Sequence, residues 1–276
     1  MSLFEALILG LVQGLTEFLP ISSSAHIRIV GDVFGWGDPG AAFTAVIQIG
    51  TELAVTLFFI RDIARIISHW FRSLPGVTSH RLTMEDPDVR MGWIVIVGTV
   101  PIVVLGLLFQ DAIETNLRSL YVVASVLIIF GLFLGWADRH ATQTRTLSTM
   151  GVRDGVILGF AQSLALIPGV SRSGGTITFG LLLGYTREAS ARISFLLAIP
   201  AVWGAGLFQL FKASGLGALP VVPTILATVI SFAVGYAVIV WFLKLISTHS
   251  YRGFVIYRVI LGVLVFAGLA SHVLSA

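Results

Sequence analysis

The sequence predicts an all-α integral membrane protein, with about six transmembrane helices plus two re-entrant helical hairpins in an inverted-topology repeat. Three observations lead there: long uncharged apolar runs, two apolar stretches broken by proline and glycine, and a short motif that recurs at a fixed offset. The 276 residues are 56% hydrophobic and only 11% charged, with a mean hydropathy of +0.96. Soluble domains carry about 25% charged residues. Uncharged runs of about 20 residues match the thickness of a hydrocarbon core. The short segments of alternating polarity that a membrane β-barrel requires are absent.

The spanning candidates are 43–60, 91–109, 118–136, 193–211, 221–243 and 253–274. Two further stretches, 3–34 and 151–185, are apolar but interrupted. The first breaks at Pro20 and Ser22-Ser23-Ser24, the second at Pro168-Gly169 and again at Gly174-Gly175. Proline removes a helical donor and clashes with the preceding turn. Irregular backbone at membrane depth survives only against protein or a polar cavity, so both stretches read as re-entrant hairpins. The chain is one membrane domain, 1–276, with repeat halves of approximately 1–136 and 151–276 joined by a polar loop, 137–150.

Charge sets the orientation. Arg61, Arg65, Arg72, Arg81, Arg90, Arg139, Arg145, Arg153, Arg187, Arg192, Lys244 and Arg252 fall on one side, and Arg28, Arg118 and Lys212 on the other. The positive-rich side is expected to be cytoplasmic, which puts both termini outside and brings the hairpins in from opposite faces. The net charge of +3 is read as loop charge, not as a nucleic-acid surface. Without cysteine there is no disulfide framework, thiolate metal site or cysteine nucleophile. Residues 1–15 lack the basic start and cleavage site of a removable signal peptide.

At an offset of 149, Gly10, Gln13, Leu15, Ile21, Ser22 and Ser24 face Gly159, Gln162, Leu164, Val170, Ser171 and Ser173. Five of the six pairs are identical. Inverted repeats of this kind place broken helices and a site near the midplane.

Ionisable groups inside apolar segments mark function. Here they are Glu17, His26, Arg28, Glu52, Arg172 and Arg258. Glu17 follows Gln13 by four residues and so shares its helix face. A carboxylate and an amide placed this way can share a hard cation or a proton, or Glu17 can pair with Arg172. Arg172 in Ser171-Arg172-Ser173-Gly174-Gly175-Thr176 offers a planar fork of donors for phosphate. The glycines admit backbone N–H groups, and the following helix turns its positive end there. His26 and Glu17 flank the serine run, an arrangement that suits in-line phosphoryl transfer. Glu52 is read either as a support to the site or as reaching the interface, and Arg258 as snorkelling from one end of the last span. His69, His80, His140, His249 and His272 form no metal-ligand spacing.

These residues carry a resemblance. The chain resembles the bacterial undecaprenyl-pyrophosphate phosphatases associated with bacitracin resistance, over essentially its whole length. The motifs are an E/Q-x-x-x-E block leading into a Pro-x-Ser-Ser-Ser-x-His run, here Gln13–Glu17 and Pro20–His26, and P-G-x-S-R-S-x-x-T, here Pro168–Thr176. The resemblance implies hydrolysis of a C55 polyprenyl pyrophosphate to the monophosphate at the outer face of the bacterial plasma (inner) membrane, recycling the cell-wall lipid carrier. It also implies a divalent cation, Mg²⁺ or Ca²⁺. Carried over by position, the catalytic set is Glu17, Ser23, His26 and Arg172. The phosphate-binding set is Ser22, Ser171, Arg172, Ser173, Gly174 and Thr176, and the metal set is Glu17 with Gln13. Many members have glutamate where this chain has Gln13, which shifts metal binding toward the substrate's own oxygens. Ser23, His26 and water remain open as the attacking group. The expected partners are the polyprenyl pyrophosphate and the bilayer, with no nucleic acid; a homodimer is compatible with the sequence. A secondary transporter or lipid flippase is the alternative, since broken helices in inverted repeats also serve transport.

Overall fold

The computed structural model describes residues 1–77, 82–110, 113, 116–216 and 219–274. His80 and Arg81 lie outside the described residues. Eleven α-helices occur among the described residues: α1 (Leu3–Thr16), α2 (Ser23–Val33), α3 (Gly40–Phe58), α4 (Ile60–Arg72), α5 (Pro87–Leu108), α6 (Leu120–His140), α7 (Val152–Ser163), α8 (Arg172–Leu182), α9 (Arg187–Leu216), α10 (Val221–Ile246) and α11 (Arg252–Ala270). Six of them, α3, α5, α6, α9, α10 and α11, are long and apolar enough to cross a membrane, and each overlaps most of one expected span.

Local chemistry sets the starts. The Ser2 hydroxyl accepts from Glu5 N at the head of α1. Asp86 accepts from Asp88 N and Val89 N, with Pro87 in the first turn of α5, where its missing N–H costs nothing. Ser119 caps α6 through Tyr121 N. One helix, α4, lies outside the expected spans. Its Arg61, Asp62, Arg65, His69 and Arg72 lower the hydropathy, yet Ile66 is buried and Trp70 packs edge-on against Trp93 at 5.6 Å. The charged face finds partners on α5 and α9: Arg65 to Asp88 at 2.7 Å and Arg192 to Asp62 at 2.9 Å.

The two interrupted stretches are pairs of short helices. At about 1.5 Å per residue, α1 (14 residues) and α2 (11 residues) are each too short to cross a core of about 30 Å. The same holds for α7 (12 residues) and α8 (11 residues). Leu3 to Val152 and Ser23 to Arg172, the first residues of α1 and α7 and of α2 and α8, are both 149 apart. The packing follows the same correspondence: α1 lies along α10, α7 along α5, α3 along α9 and α10, and α6 along α11. Gly10 and Gly159 make the two outer contacts. A Cβ on Gly10 would stand 2.7 Å from Ala227 O, and one on Gly159 2.5 Å from Gly98 O.

Arginines expected on the positive-rich side pair at 2.6–2.9 Å: Arg187 with Asp138, Arg145 with Asp154 and Arg192 with Asp62. Arg28 and Arg118, expected on the opposite side, meet at Asp38. Arg118 Nε donates to it at 2.6 Å, and Arg28 Nε lies 3.9 Å away.

Candidate active site

Both helix breaks end on a serine in the left-handed region, Ser22 at φ 73° and Ser171 at φ 69°. Each hydroxyl then caps the next helix, Ser22 Oγ accepting from Ala25 N at 3.4 Å and Ser171 Oγ from Gly174 N at 3.1 Å. A serine two residues on completes each pattern, Ser24 at 3.2 Å from Ser22 and Ser173 at 3.1 Å from Ser171. The breaks are tied together. Gly169 N donates to Ser22 Oγ at 3.2 Å, and Ser173 Oγ donates to Leu19 O at 3.0 Å.

Arg258 completes that tie, which corrects the expectation that it snorkels. It is fully buried. It donates to Pro20 O at 3.0 Å, Val170 O at 3.1 Å, Gly169 O at 2.7 Å and Leu127 O at 3.2 Å. The carbonyls freed where proline interrupts a helix need donors, and a guanidinium supplies several at once. Gly174 leaves room for it, since a Cβ there would stand 2.9 Å from Arg258 Nη1.

The chemistry converges on Glu17, at the end of α1. Its Oε2 accepts from Gln13 Nε2 at 2.7 Å and from Ser23 Oγ at 2.5 Å, and its Oε1 receives Arg172 Nη2. Residues from both breaks therefore meet on one carboxylate. Glu52, from α3, stands at the same guanidinium, its Oε2 3.8 Å from Arg172 Nη2. Glu52 is fully buried, so it does not reach an interface. Gln13 Nε2 also approaches Thr51 Oγ1 at 3.4 Å, linking α1 to the residue before Glu52.

A cavity of about 510 Å³ is lined by Glu17, Ser22, Ser23, Ser24, Ser171 and Arg172. It continues between α5 and α9 along Val103, Leu107, Ala201 and Phe208, and Arg118 also lines it. His26 is placed differently. Its Nδ1–H donates to Ser22 O at 2.7 Å, its Nε2 lies 2.7 Å from Tyr257 Oη, and the two rings stack at 5.6 Å. Thr176 is buried with its hydroxyl unpartnered among the described residues. Gly175 N is already bonded to Ser171 O at 2.8 Å.

Sequence reasoning left Glu52 undecided and missed Tyr257. The signal for Glu52 was its place in the middle of a 19-residue apolar helix. For Tyr257, adjacency to Arg258 was the only cue.

Three buried oxygens of this cluster have no hydrogen-bond partner among the described residues: Gln13 Oε1 and both oxygens of Glu52. Unsatisfied buried acceptors are costly, and oxygen donors of this kind are what Mg²⁺ and Ca²⁺ take. The residues present therefore fit a hard divalent cation. Elsewhere, His69, for which the sequence shows no metal-ligand spacing, is brought together with Asp86 and Asp88 into a group whose ligand atoms could hold a metal ion, because the fold sets α4 against the start of α5.

A polar cluster of carboxylate, amide, hydroxyl and guanidinium, buried where two broken helices meet among membrane-length helices, defines an integral membrane protein with a buried polar centre. The family model described as bacitracin resistance protein BacA matches residues 6–264, and the chain belongs to that family. It is 58% identical over 281 residues to the undecaprenyl-diphosphatase of Paenarthrobacter aurescens, covering 100% of both chains. The undecaprenyl-diphosphatase of Pseudarthrobacter chlorophenolicus is also 58% identical, over 283 residues and 100% of both chains. That of Micrococcus luteus is 55% identical over 281 residues, again with 100% of both covered.

Proposed function

We propose that the chain is a membrane phosphatase that hydrolyses undecaprenyl pyrophosphate to undecaprenyl monophosphate and inorganic phosphate, returning the lipid carrier to cell-wall synthesis. Family membership and the full-length relatives named for this activity support the reaction. The observation that carries the site is the convergence of Gln13, Ser23 and Arg172 on Glu17.

In this reading Arg172 and the Ser171 hydroxyl, which line the cavity, bind the terminal phosphate, with Ser173 and Thr176 packed behind them and Ser22 and Gly174 shaping the turn around it. Charge-assisted bonds from a planar guanidinium suit that role. Glu17 accepts the Ser23 hydroxyl proton as Oγ bonds to the terminal phosphorus. The bridging P–O bond breaks, and undecaprenyl monophosphate leaves. Water then hydrolyses the phosphoserine, with Glu17 again handling the proton. The 2.5 Å Ser23–Glu17 contact favours Ser23 over His26, which turns to Tyr257 and holds the Ser22 carbonyl. A divalent cation, Mg²⁺ or Ca²⁺, held at Glu17 and Gln13 would neutralise phosphoryl oxygens when bound. The prenyl chain lies in the apolar continuation between α5 and α9.

The cavity faces the outer side of the bacterial plasma membrane in this reading. Arg118, on the face poor in positive charge, lines it, and the positive-rich face is the cytoplasmic one. The halves 1–136 and 151–276 are related as an inverted repeat, supported by the shared 149-residue offset of helix starts and of the two left-handed serines.

Phosphate release by the purified full chain tests the assignment. Arg172→Ala should lower kcat/KM by roughly 10²–10³-fold, the loss seen when one preorganised donor is removed from a developing charge. Release at near wild-type rate would remove Arg172 from the site. Labelled phosphate recovered on a residue other than Ser23 would move the attack elsewhere.

A further inference from the structure

We infer that Glu52 is the second carboxylate of the cation site, doing from α3 what the first motif leaves undone by placing a glutamine at position 13. The inference rests on the phosphatase reading above and concerns the same centre.

The case begins with charge. Glu17, Glu52 and Arg172 cluster with one cation between two anions. Arg172 is committed by hydrogen bond to Glu17. Glu52, fully buried, has no hydrogen bond on either oxygen. A carboxylate in that position is strongly unfavourable unless it is paired or bound to a metal. Counting Glu17 and Glu52 as ionised, the trio sums to −1, a poor receptor for a pyrophosphate. With a divalent cation the sum becomes +1, and the cavity is then set to receive an anion.

The geometry points the same way. Gln13 Nε2 is turned to Glu17 Oε2 and Thr51 Oγ1, which leaves Gln13 Oε1 as a buried acceptor with no partner. Gln13 thus touches Glu17 on its own helix and, through Thr51, the turn of α3 that carries Glu52. The free oxygens of Gln13 and Glu52, with Glu17, make a set of hard donors from two helices, α1 and α3. Position 13 is the one place where the E/Q-x-x-x-E block here carries the neutral residue. Moving the charge from α1 to α3 keeps two carboxylates in the centre.

The test moves the charge back. In the purified full chain, binding of Ca²⁺ alone is measured by calorimetry, and phosphate release from undecaprenyl pyrophosphate is followed separately. E52Q, an isosteric change, should weaken Ca²⁺ binding by at least the roughly 10–100-fold that even outer-shell substitutions cost, with a parallel loss of phosphate release. The double variant Q13E/E52Q should recover both to within a few-fold of wild type. A folded E52Q that binds Ca²⁺ like wild type overturns the inference, as does a loss in E52Q that the double variant leaves unrepaired. Wild-type protein that binds Ca²⁺ in a Glu52-dependent way but releases no phosphate would instead overturn the phosphatase reading and leave the cation site standing.

Discussion

The break after α1 and the break after α7 share a backbone device and divide the chemistry between them. Each carries a glutamine nine residues before a left-handed serine, and each of those serines caps the next helix with its own hydroxyl. At the 149-residue offset, Glu17 faces Leu166, Ser23 faces Arg172 and His26 faces Gly175. The first break thus holds the carboxylate, hydroxyl and imidazole, and the second the guanidinium and the space. Gln13 and Gln162 show the consequence. Both are fully buried, but Gln13 donates to Glu17, whereas Gln162 has no side-chain partner among the described residues. At these three positions the two breaks differ in side chain while sharing the left-handed serine and its cap.

If the two breaks work as one unit, the residue that joins them should matter most to stability. Arg258 bonds one carbonyl of the first break, two of the second and Leu127 O on α6. Arg258→Met would take the guanidinium from three buried carbonyls at the breaks, Pro20, Gly169 and Val170, and a buried acceptor left unsatisfied costs about 1–3 kcal/mol. A stability loss of at least about 3 kcal/mol is expected by equilibrium unfolding in detergent. Arg258→Lys should fall between, because an ammonium cannot reproduce the spread of the guanidinium fork. A loss below about 1 kcal/mol for Arg258→Met would mean the breaks stand independently.

A smaller effect tests whether the two halves pack equivalently. Gly10→Ala and Gly159→Ala each push a methyl onto a backbone carbonyl of the neighbouring long helix, at 2.7 and 2.5 Å. Overpacking of this kind costs roughly 1–3 kcal/mol, less the gain of about 0.5–1 kcal/mol from replacing a helical glycine. Gly253→Ala, with nothing within 4 Å, should be neutral or stabilising. Thermal unfolding of the three variants gives the comparison. Unequal losses at Gly10 and Gly159 would show that one hairpin is held more loosely than the other.

The sequence made the six long helices readable because a hydrocarbon-length apolar run has few alternatives in water or in lipid. It made the two breaks readable because Pro20 with the serine run, and Pro168 with Gly169, interrupt otherwise apolar runs with residues that favour turns and caps. It hid α4, whose apolar side is interleaved with arginines and is recognisable only once Trp93 and the start of α5 are in place against it. Arg258 was misread because its nearness to a helix end suggested snorkelling, whereas the carbonyls it bonds come from segments up to 238 residues away. Glu52 carried a signal of unusual burial but no signal of its partner. That partner, Arg172, is brought to it by the second half of the chain. Pairwise chemistry between distant segments leaves no local periodicity to read.

The smallest expected effects fall at the two left-handed serines, where the correspondence can be divided most finely. Ser22→Ala removes the acceptor for Ala25 N and also the acceptor for Gly169 N from the opposite break. Ser171→Ala removes the acceptor for Gly174 N but leaves Leu19 O its better bond from Ser173. Loss of a serine cap costs about 1 kcal/mol, so Ser171→Ala should lie near that value. Ser22→Ala should cost more by the penalty of one further orphaned buried donor. Glycine separates the two contributions, because it accepts φ near +70° without strain and replaces a capping serine at a cost of only a few tenths of a kcal/mol. Ser171→Gly should therefore be nearly neutral by thermal unfolding, while Ser22→Gly should still show the cost of the unpaired Gly169 N. Equal behaviour of the two glycine variants would mean that the bond between the breaks at Ser22 adds nothing beyond the caps, and that Arg258, Ser173 and the Arg172–Glu17 pair hold the two breaks together without it.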